Sequence, residues 1–104
     1  ITACGNDYNF DEIFSRTLSG LGNKKDVLIC ISTSGNSKNI LKVLKEAKKK
    51  GILTIGFLGK KGGKAKKNCD FKLIVESNNT ARIQECHIFL GHFILQKVED
   101  NLMK

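Results

Sequence analysis

The fold is decided by one stretch, Val27-Leu28-Ile29-Cys30-Ile31-Ser32-Thr33-Ser34-Gly35-Asn36-Ser37. Its apolar first half is typical of a strand in a parallel sheet that helices cover on both faces. The amphipathic run at residues 39–50 follows it and has helical spacing. A helix that starts there offers unpaired backbone N–H groups and the positive end of its dipole. The stretch therefore predicts a strand, an anion-binding loop and a helix in succession.

The hydroxyl side chains of this loop are candidate ligands for a phosphate group. We call residues 32–37 the hydroxyl loop; its hydroxyl residues are Ser32, Thr33, Ser34 and Ser37. Because no lysine lies within it, the loop suits a sugar phosphate at least as well as a nucleotide. The alternative is that Ser37 simply caps the following helix. A cap needs one hydroxyl, whereas this loop has four, and the surplus favours phosphate binding.

The remaining sequence alternates between strand-like and helix-like patterns. This order predicts an α/β domain whose parallel strands are joined by right-handed crossovers. Ligands of such sheets bind beyond the carboxyl ends of the strands, where the hydroxyl loop would lie. The expected strands cover residues 1–4, 26–32, 52–58 and 71–75, and the expected helices cover residues 10–21, 38–50 and about 80–104.

Length and charge narrow the class of protein. A chain of 104 residues can form one domain with a modest core. The net charge of +8 comes largely from lysines on the outer face of the second helix and in the segment 60–67. No aromatic residue is interleaved with those lysines, so we expect solvated faces and no nucleic-acid partner. Segment 60–67 is expected to be a surface crossing.

Other classes are also disfavoured by the sequence. No apolar run approaches the roughly 20 residues that span a bilayer, and no signal-peptide pattern is present, so we expect no membrane partner and a cytoplasmic location. The four cysteines include no C-x-x-C pair and are expected to be reduced and mostly buried.

The final helix carries a second candidate constellation. Gln84 and His92 are eight positions apart, which places them ~80° apart around a helix. His87 lies ~140° from His92, so the two histidines should not face one site. A histidine on an apolar helix is more often a core residue, and both interpretations stay open. Apolar residues cover more than one stripe of this helix, so we expect it to contact a further surface, such as another subunit.

Together the two constellations resemble the phosphoheptose isomerase family of the SIS domain superfamily. The hydroxyl loop is typical of SIS domains generally, and Arg82-Ile83-Gln84-Glu85 followed by His87 and His92 narrows the resemblance to the heptose branch. Further similar segments are Gly5-Asn6-Asp7-Tyr8, Phe14-Ser15-Arg16 and Gly59-Lys60 followed by Gly62-Gly63-Lys64.

The resemblance implies a fold, an assembly and a reaction. The fold would be a flavodoxin-like three-layer sandwich with a parallel sheet, assembled as a cytoplasmic homotetramer. The reaction would be the isomerisation of sedoheptulose 7-phosphate to D-glycero-D-manno-heptose 7-phosphate through an enediol, in bacterial heptose and lipopolysaccharide precursor synthesis.

The resemblance also implies roles for individual residues. Ser32, Thr33, Ser34 and Ser37 would hold the substrate phosphate. Asn6 and Asp7 would line the sugar site. Gln84 and His92 would contact the substrate and, in members with zinc, bind the metal. Both would be catalytic, His92 as the family's catalytic histidine.

The sequence departs from the family pattern in two ways. Ala81 stands where some members have an acidic residue. The family's N-terminal helices, which carry a catalytic glutamate and further metal ligands, have no match in residues 1–104. We therefore expect these residues to be the C-terminal part of a single SIS domain with an incomplete active site. The alternative function is a non-catalytic SIS protein that binds a sugar phosphate or a protein partner, as the replication-initiator-associating relatives do.

Overall fold

A computed structural model describes residues 10–104 as an α/β domain. A short 3-10 turn, Phe10–Glu12, leads into the first α-helix. The elements are α1 (Ile13–Leu21), β1 (Val27–Ser32), α2 (Lys38–Lys50), β2 (Leu53–Gly59), a 3-10 helix (Lys64–Asn68), β3 (Phe71–Val75) and α3 (Thr80–Leu102). The strand expected over residues 1–4 lies outside the described residues.

The three strands form one parallel sheet in the order β1-β2-β3. In its register Ser32 pairs with Leu58, and Leu58 pairs with Ile74. The predicted parallel sheet is confirmed, and its strand bounds are close to those expected. The middle strand is displaced by one residue, because Gly59 extends β2 and Ile52 precedes it.

Helices lie on both faces of this sheet, which makes three layers. On one face α2 buries an apolar stripe against the even-numbered residues of the strands. That stripe consists of Ile40, Val43, Leu44 and Ala47. On the other face α3 buries Ile83 and His87 near the end of β2. The predicted three-layer sandwich is therefore confirmed.

Part of the sheet is uncovered among the described residues. Val27, Ile29 and Ile31 point away from α2 and are 53%, 43% and 55% exposed. The expectation that β1 is buried on both faces is thus not met by residues 10–104. Apolar residues of α3 are exposed too, including Phe89 and Phe93. These faces agree with the expectation of a further contact surface, which stays a prediction.

The cysteines divide into two environments. Cys30 and Cys69 are buried between the sheet and the layer that contains α2, and burial raises the pKa of the Cys30 thiol to about 12. Burial also raises the pKa of Cys69. Since the thiolate is the reactive form, both are poor nucleophiles. The prediction of mostly buried thiols is wrong for Cys86, which is exposed on α3.

Within residues 10–104, no helix combines the length and the apolar character that crossing a membrane requires.

Candidate functional site

The hydroxyl loop begins at the carboxyl end of β1 and is braced from inside. Ser32 is only 5% exposed, and its Oγ lies 2.9 Å from Oγ of Ser37. The backbone N–H of Gly35 donates to the same Ser32 oxygen at 3.0 Å. Ser32 therefore closes the loop on itself. Thr33 and Ser34 are only partly buried, so their side chains remain accessible at its rim.

The start of α2 is not capped by the serine that precedes it. Ser37 occupies the N-cap position, yet its side chain makes no capping hydrogen bond and is directed to Ser32 instead. The start of α3 provides the contrast, because Asn79 accepts from the N–H groups of Ala81 and Arg82. The simple cap interpretation of Ser37 is therefore wrong. Its hydroxyl instead takes part in the hydrogen bonds inside the hydroxyl loop, and in the first turn of α2 the N–H of Ile40 donates to Oδ1 of Asn39 at 2.8 Å.

A glycine-rich turn supports the hydroxyl loop from outside. The turn, residues 60–63, joins β2 to the 3-10 helix and lies against Gly35. A β-carbon at Gly35 would overlap the carbonyl oxygen of Gly62. The N–H of Ala65 donates to the Gly35 carbonyl at 2.9 Å, and the N–H of Lys64 donates to Oδ1 of Asn36 at 2.8 Å. The hydroxyl loop and the chain after β2 are therefore held together by one backbone–backbone hydrogen bond and one backbone–side chain hydrogen bond.

These contacts add to the prediction for segment 60–67. Most of its residues are exposed, as expected of a surface crossing, but its glycines form one wall of the hydroxyl loop, and Gly62 and Ala65 are buried. Gly62 and Gly63 have φ values of 93° and 56°, backbone angles that residues with a side chain rarely adopt. The paired glycines in the sequence are the signal that could have indicated this close approach.

The two histidines of α3 differ in burial, as their helical spacing predicts. His87 is buried, and its Nε2 lies 2.8 Å from the carbonyl oxygen of Leu58. Gln84 and His92 are both exposed. The core interpretation therefore fits His87, whereas Gln84 and His92 are free to contact a ligand or another chain.

Gly59 is the point at which the hydroxyl loop meets α3. A β-carbon at Gly59 would overlap both the carbonyl oxygen of Thr33 and the side chain of Ile83. Gln84 follows Ile83 directly, so the first turns of α3 lie at the same end of the sheet as the hydroxyl loop. His92 lies ~12 Å further along the helix axis. The structure thus brings the loop and the start of α3 together, with His92 more distant.

A metal site is not completed by the residues that the structure describes. Residues 10–104 contain no group of three or more histidine, cysteine, aspartate or glutamate side chains that could hold a metal ion. Gln84 and His92 would supply one amide oxygen and one imidazole nitrogen. Zinc takes about three protein ligands in a catalytic site. These two side chains do not make a zinc site by themselves.

Two predicted site residues, Asn6 and Asp7, lie outside the described residues. The structure therefore places six of the eight predicted site residues: Ser32, Thr33, Ser34, Ser37, Gln84 and His92.

Comparison with known proteins gives consistent matches. The family model of the SIS domain matches residues 2–59. The phosphoheptose isomerase of Clostridium acetobutylicum is 54% identical over 98% of this chain and 52% of its own length. That of Nitratiruptor sp. is 50% identical over 97% of this chain and 54% of its own length. The chain spans about half the length of the curated relatives it matches.

Solved structures show the same similarity. The phosphoheptose isomerase of Neisseria gonorrhoeae superposes with a TM-score of 0.90 at 43% identity, covering 93% of this chain and 55% of that chain. The phosphoheptose isomerase of Francisella tularensis gives a TM-score of 0.85 at 41% identity, covering 88% of this chain and 50% of that chain.

Proposed function

Because the chain belongs to the SIS domain family, we propose that it forms part of an isomerase that converts sedoheptulose 7-phosphate to D-glycero-D-manno-heptose 7-phosphate. The relatives that are named phosphoheptose isomerase match 97% and 98% of the chain, so the similarity includes α3 as well as the hydroxyl loop. One observation supports the proposal most strongly. The hydroxyl of Ser37 does not cap α2 but lies inside the loop, 2.9 Å from the Oγ of Ser32.

In this proposal the hydroxyl loop holds the phosphate. Thr33 and Ser34 offer side-chain donors at the rim, and Ser37 adds a third beside the N-terminal turn of α2. The Ser32 hydroxyl is hydrogen-bonded to the Ser37 hydroxyl and accepts from the N–H of Gly35, so it fixes the loop around the anion. The helix dipole adds a favourable interaction of about 0.3–1 kcal/mol for an anion at such a position.

The sugar end of the substrate lies toward α3. Isomerisation needs a base that removes a proton from C1 of the ketose and returns one to C2. It also needs an acid that protonates the carbonyl oxygen while the C1 hydroxyl loses its proton. His92 carries the C–H proton transfer in this scheme, because an imidazole ring nitrogen can both accept and donate a proton as a general base and acid. Gln84 orients the sugar, and Asn6 and Asp7 line the same site.

The finer features of the family stay proposals. A zinc ion at Gln84 and His92 would polarise the substrate carbonyl when bound, with its remaining ligands supplied from outside this chain. We also propose a homotetramer, a cytoplasmic location and a role in lipopolysaccharide precursor synthesis. The exposed apolar residues of α3 support the assembly, because an isolated domain seldom leaves so many uncovered.

Turnover of the substrate tests the proposed function. The complete protein, incubated with sedoheptulose 7-phosphate with and without added zinc, is expected to form the aldose, detected by chromatography. If the sugar phosphate binds but no aldose forms under either condition, the non-catalytic SIS protein becomes the better account. If neither binding nor turnover is found, the assignment of the hydroxyl loop is wrong as well.

The substitution Ser37→Ala tests the phosphate role of the loop separately. We expect weaker inhibition by inorganic phosphate and a loss of about 0.5–1.5 kcal/mol in the free energy of unfolding, because the buried Ser32 hydroxyl loses its hydrogen bond to Ser37. Asn79→Ala is the matched control. It removes a cap that two N–H groups use, so it should destabilise the protein by about 1 kcal/mol and leave phosphate inhibition unchanged. Denaturation and inhibition assays measure both quantities, and the reverse pattern would contradict the proposal.

A further inference from the structure

His87 is the buried polar side chain of α3, and the proposed reaction leaves it unused. It is 4% exposed and lies between α3 and the end of β2. Its ring centroid is 5.9 Å from that of Phe57, at an interplanar angle of 41°. A polar side chain in such a place costs free energy unless its hydrogen bonds are made.

The contact with β2 fixes the tautomer of His87. The Leu58 carbonyl can only accept, so Nε2 carries the proton and donates to it across 2.8 Å. Nδ1 is then an acceptor, and it is buried without a partner among the described residues. A leucine would fill this position without leaving such an atom unpaired. The donor at Nε2 is therefore the property that distinguishes histidine here from an apolar residue.

Leu58 and its neighbours lead from His87 to the hydroxyl loop. Leu58 pairs with Ser32, the residue that braces the loop. Gly59, the next residue, touches Thr33 and Ile83. The hydrogen bond of His87 therefore joins α3 to β2, the strand that leads into the glycine-rich turn beside the hydroxyl loop.

We propose that His87 is a positioning residue that sets the distance between the hydroxyl loop and the Gln84–His92 side of α3. The inference rests on the proposed function, since it concerns how the two ends of one sugar phosphate are held. Through its hydrogen bond to the Leu58 carbonyl, His87 fixes the position of α3 along β2. It thereby also fixes the position of His92, whose side chain moves the substrate proton. A shift of ~1 Å in such a group can lower the rate of a reaction 100-fold.

A pair of side chains of nearly equal length tests this. In the complete protein, His87→Gln keeps a donor for the Leu58 carbonyl, and His87→Met removes it. We expect His87→Met to lower kcat by about 10- to 100-fold. The inhibition by inorganic phosphate should change little, because the hydroxyl loop is untouched, whereas the KM for sedoheptulose 7-phosphate should rise, because Gln84, which orients the sugar, moves with α3. His87→Gln should restore most of kcat.

Ile83→Val is the control for looser packing. Ile83 is completely buried at the same contact, so trimming it should lower the melting temperature without lowering kcat. Equal kcat in the wild type, His87→Met and His87→Gln would overturn the proposal. So would a loss of kcat in Ile83→Val as large as that in His87→Met, since it would show a merely structural role.

The failure of this inference is distinguishable from the failure of the proposed function. A wild type without turnover rejects the isomerase, and the two variants are then compared by calorimetric binding of sedoheptulose 7-phosphate and of inorganic phosphate. Weaker binding of the sugar phosphate alone in His87→Met supports the positioning role. Equal binding in both variants rejects it. If His87→Met does not fold, wild-type-like kcat in His87→Gln supports the donor, and a loss in His87→Gln contradicts it.

Discussion

His92→Ala in the complete protein is expected to abolish turnover while leaving the fold intact. General acid–base catalysis by one side chain contributes about 100- to 10,000-fold to a rate, so kcat should fall by that factor. The side chain of His92 is exposed among the described residues, so its removal leaves no cavity in the core. Steady-state kinetics measure kcat, and circular dichroism with thermal unfolding shows whether the fold persists.

Lys97→Ala is the matched control for this substitution. Lys97 is also exposed on α3, but it lies ~140° around the helix from His92. It should therefore retain the kcat of the wild type. If His92→Ala is as active as Lys97→Ala, the role carried over from the family is wrong for this residue. If His92→Ala raises KM and leaves kcat unchanged, His92 binds the sugar without moving its proton.

The elements of the fold could be predicted from the sequence because their ends carry local signals. The bounds of α2 agree with the expectation at Lys38 and at Lys50. Gly51 explains the second bound, since its φ of 71° ends the helix in a conformation that glycine adopts at low cost. Asn79 likewise marks the start of α3 through two side-chain hydrogen bonds.

The contacts of the candidate site could be predicted only in part. The four hydroxyl residues follow β1 within one loop, as the sequence shows, but their pattern does not reveal that Ser32 braces the loop through Ser37 and Gly35. That arrangement depends on how the strand end and the helix start meet in space. The exposure of Cys86 was missed for a related reason, because an apolar helix predicts burial whether or not the covering surface is present.

The contact between the two turns was also not predictable from local patterns, because it joins residues far apart in the chain. Gly35 and Gly62 are separated by a helix and a strand, and each is a weak turn signal alone. A β-carbon at Gly35 would overlap the carbonyl oxygen of Gly62, and a β-carbon at Gly63 would overlap the carbonyl group of Gly35, so neither Gly35 nor Gly63 has room for a side chain. This contact makes a substitution at Gly35 the most severe test of the site's architecture.

Gly35→Ala is expected to destabilise the protein and to abolish phosphate binding. Gly35 has a φ of 70°, where a β-carbon costs about 1–2 kcal/mol, and overpacking adds about 1–3 kcal/mol. The overlapping atom is the carbonyl oxygen of Gly62, which belongs to the backbone and cannot rotate away. Urea denaturation should therefore show a loss of about 2–5 kcal/mol, and calorimetry should show no binding of inorganic phosphate.

Gly20→Ala separates this effect from the general consequences of replacing a glycine. Gly20 lies within α1, and no atom stands within 4 Å of the position its β-carbon would take. Alanine there should stabilise the helix by about 0.5–1 kcal/mol and leave phosphate binding unchanged. If Gly35→Ala lowers the free energy of unfolding and Gly20→Ala raises it, the loss in Gly35→Ala comes from the contact between the turns. Wild-type stability and phosphate binding in Gly35→Ala would mean that the Gly62 turn does not hold the hydroxyl loop.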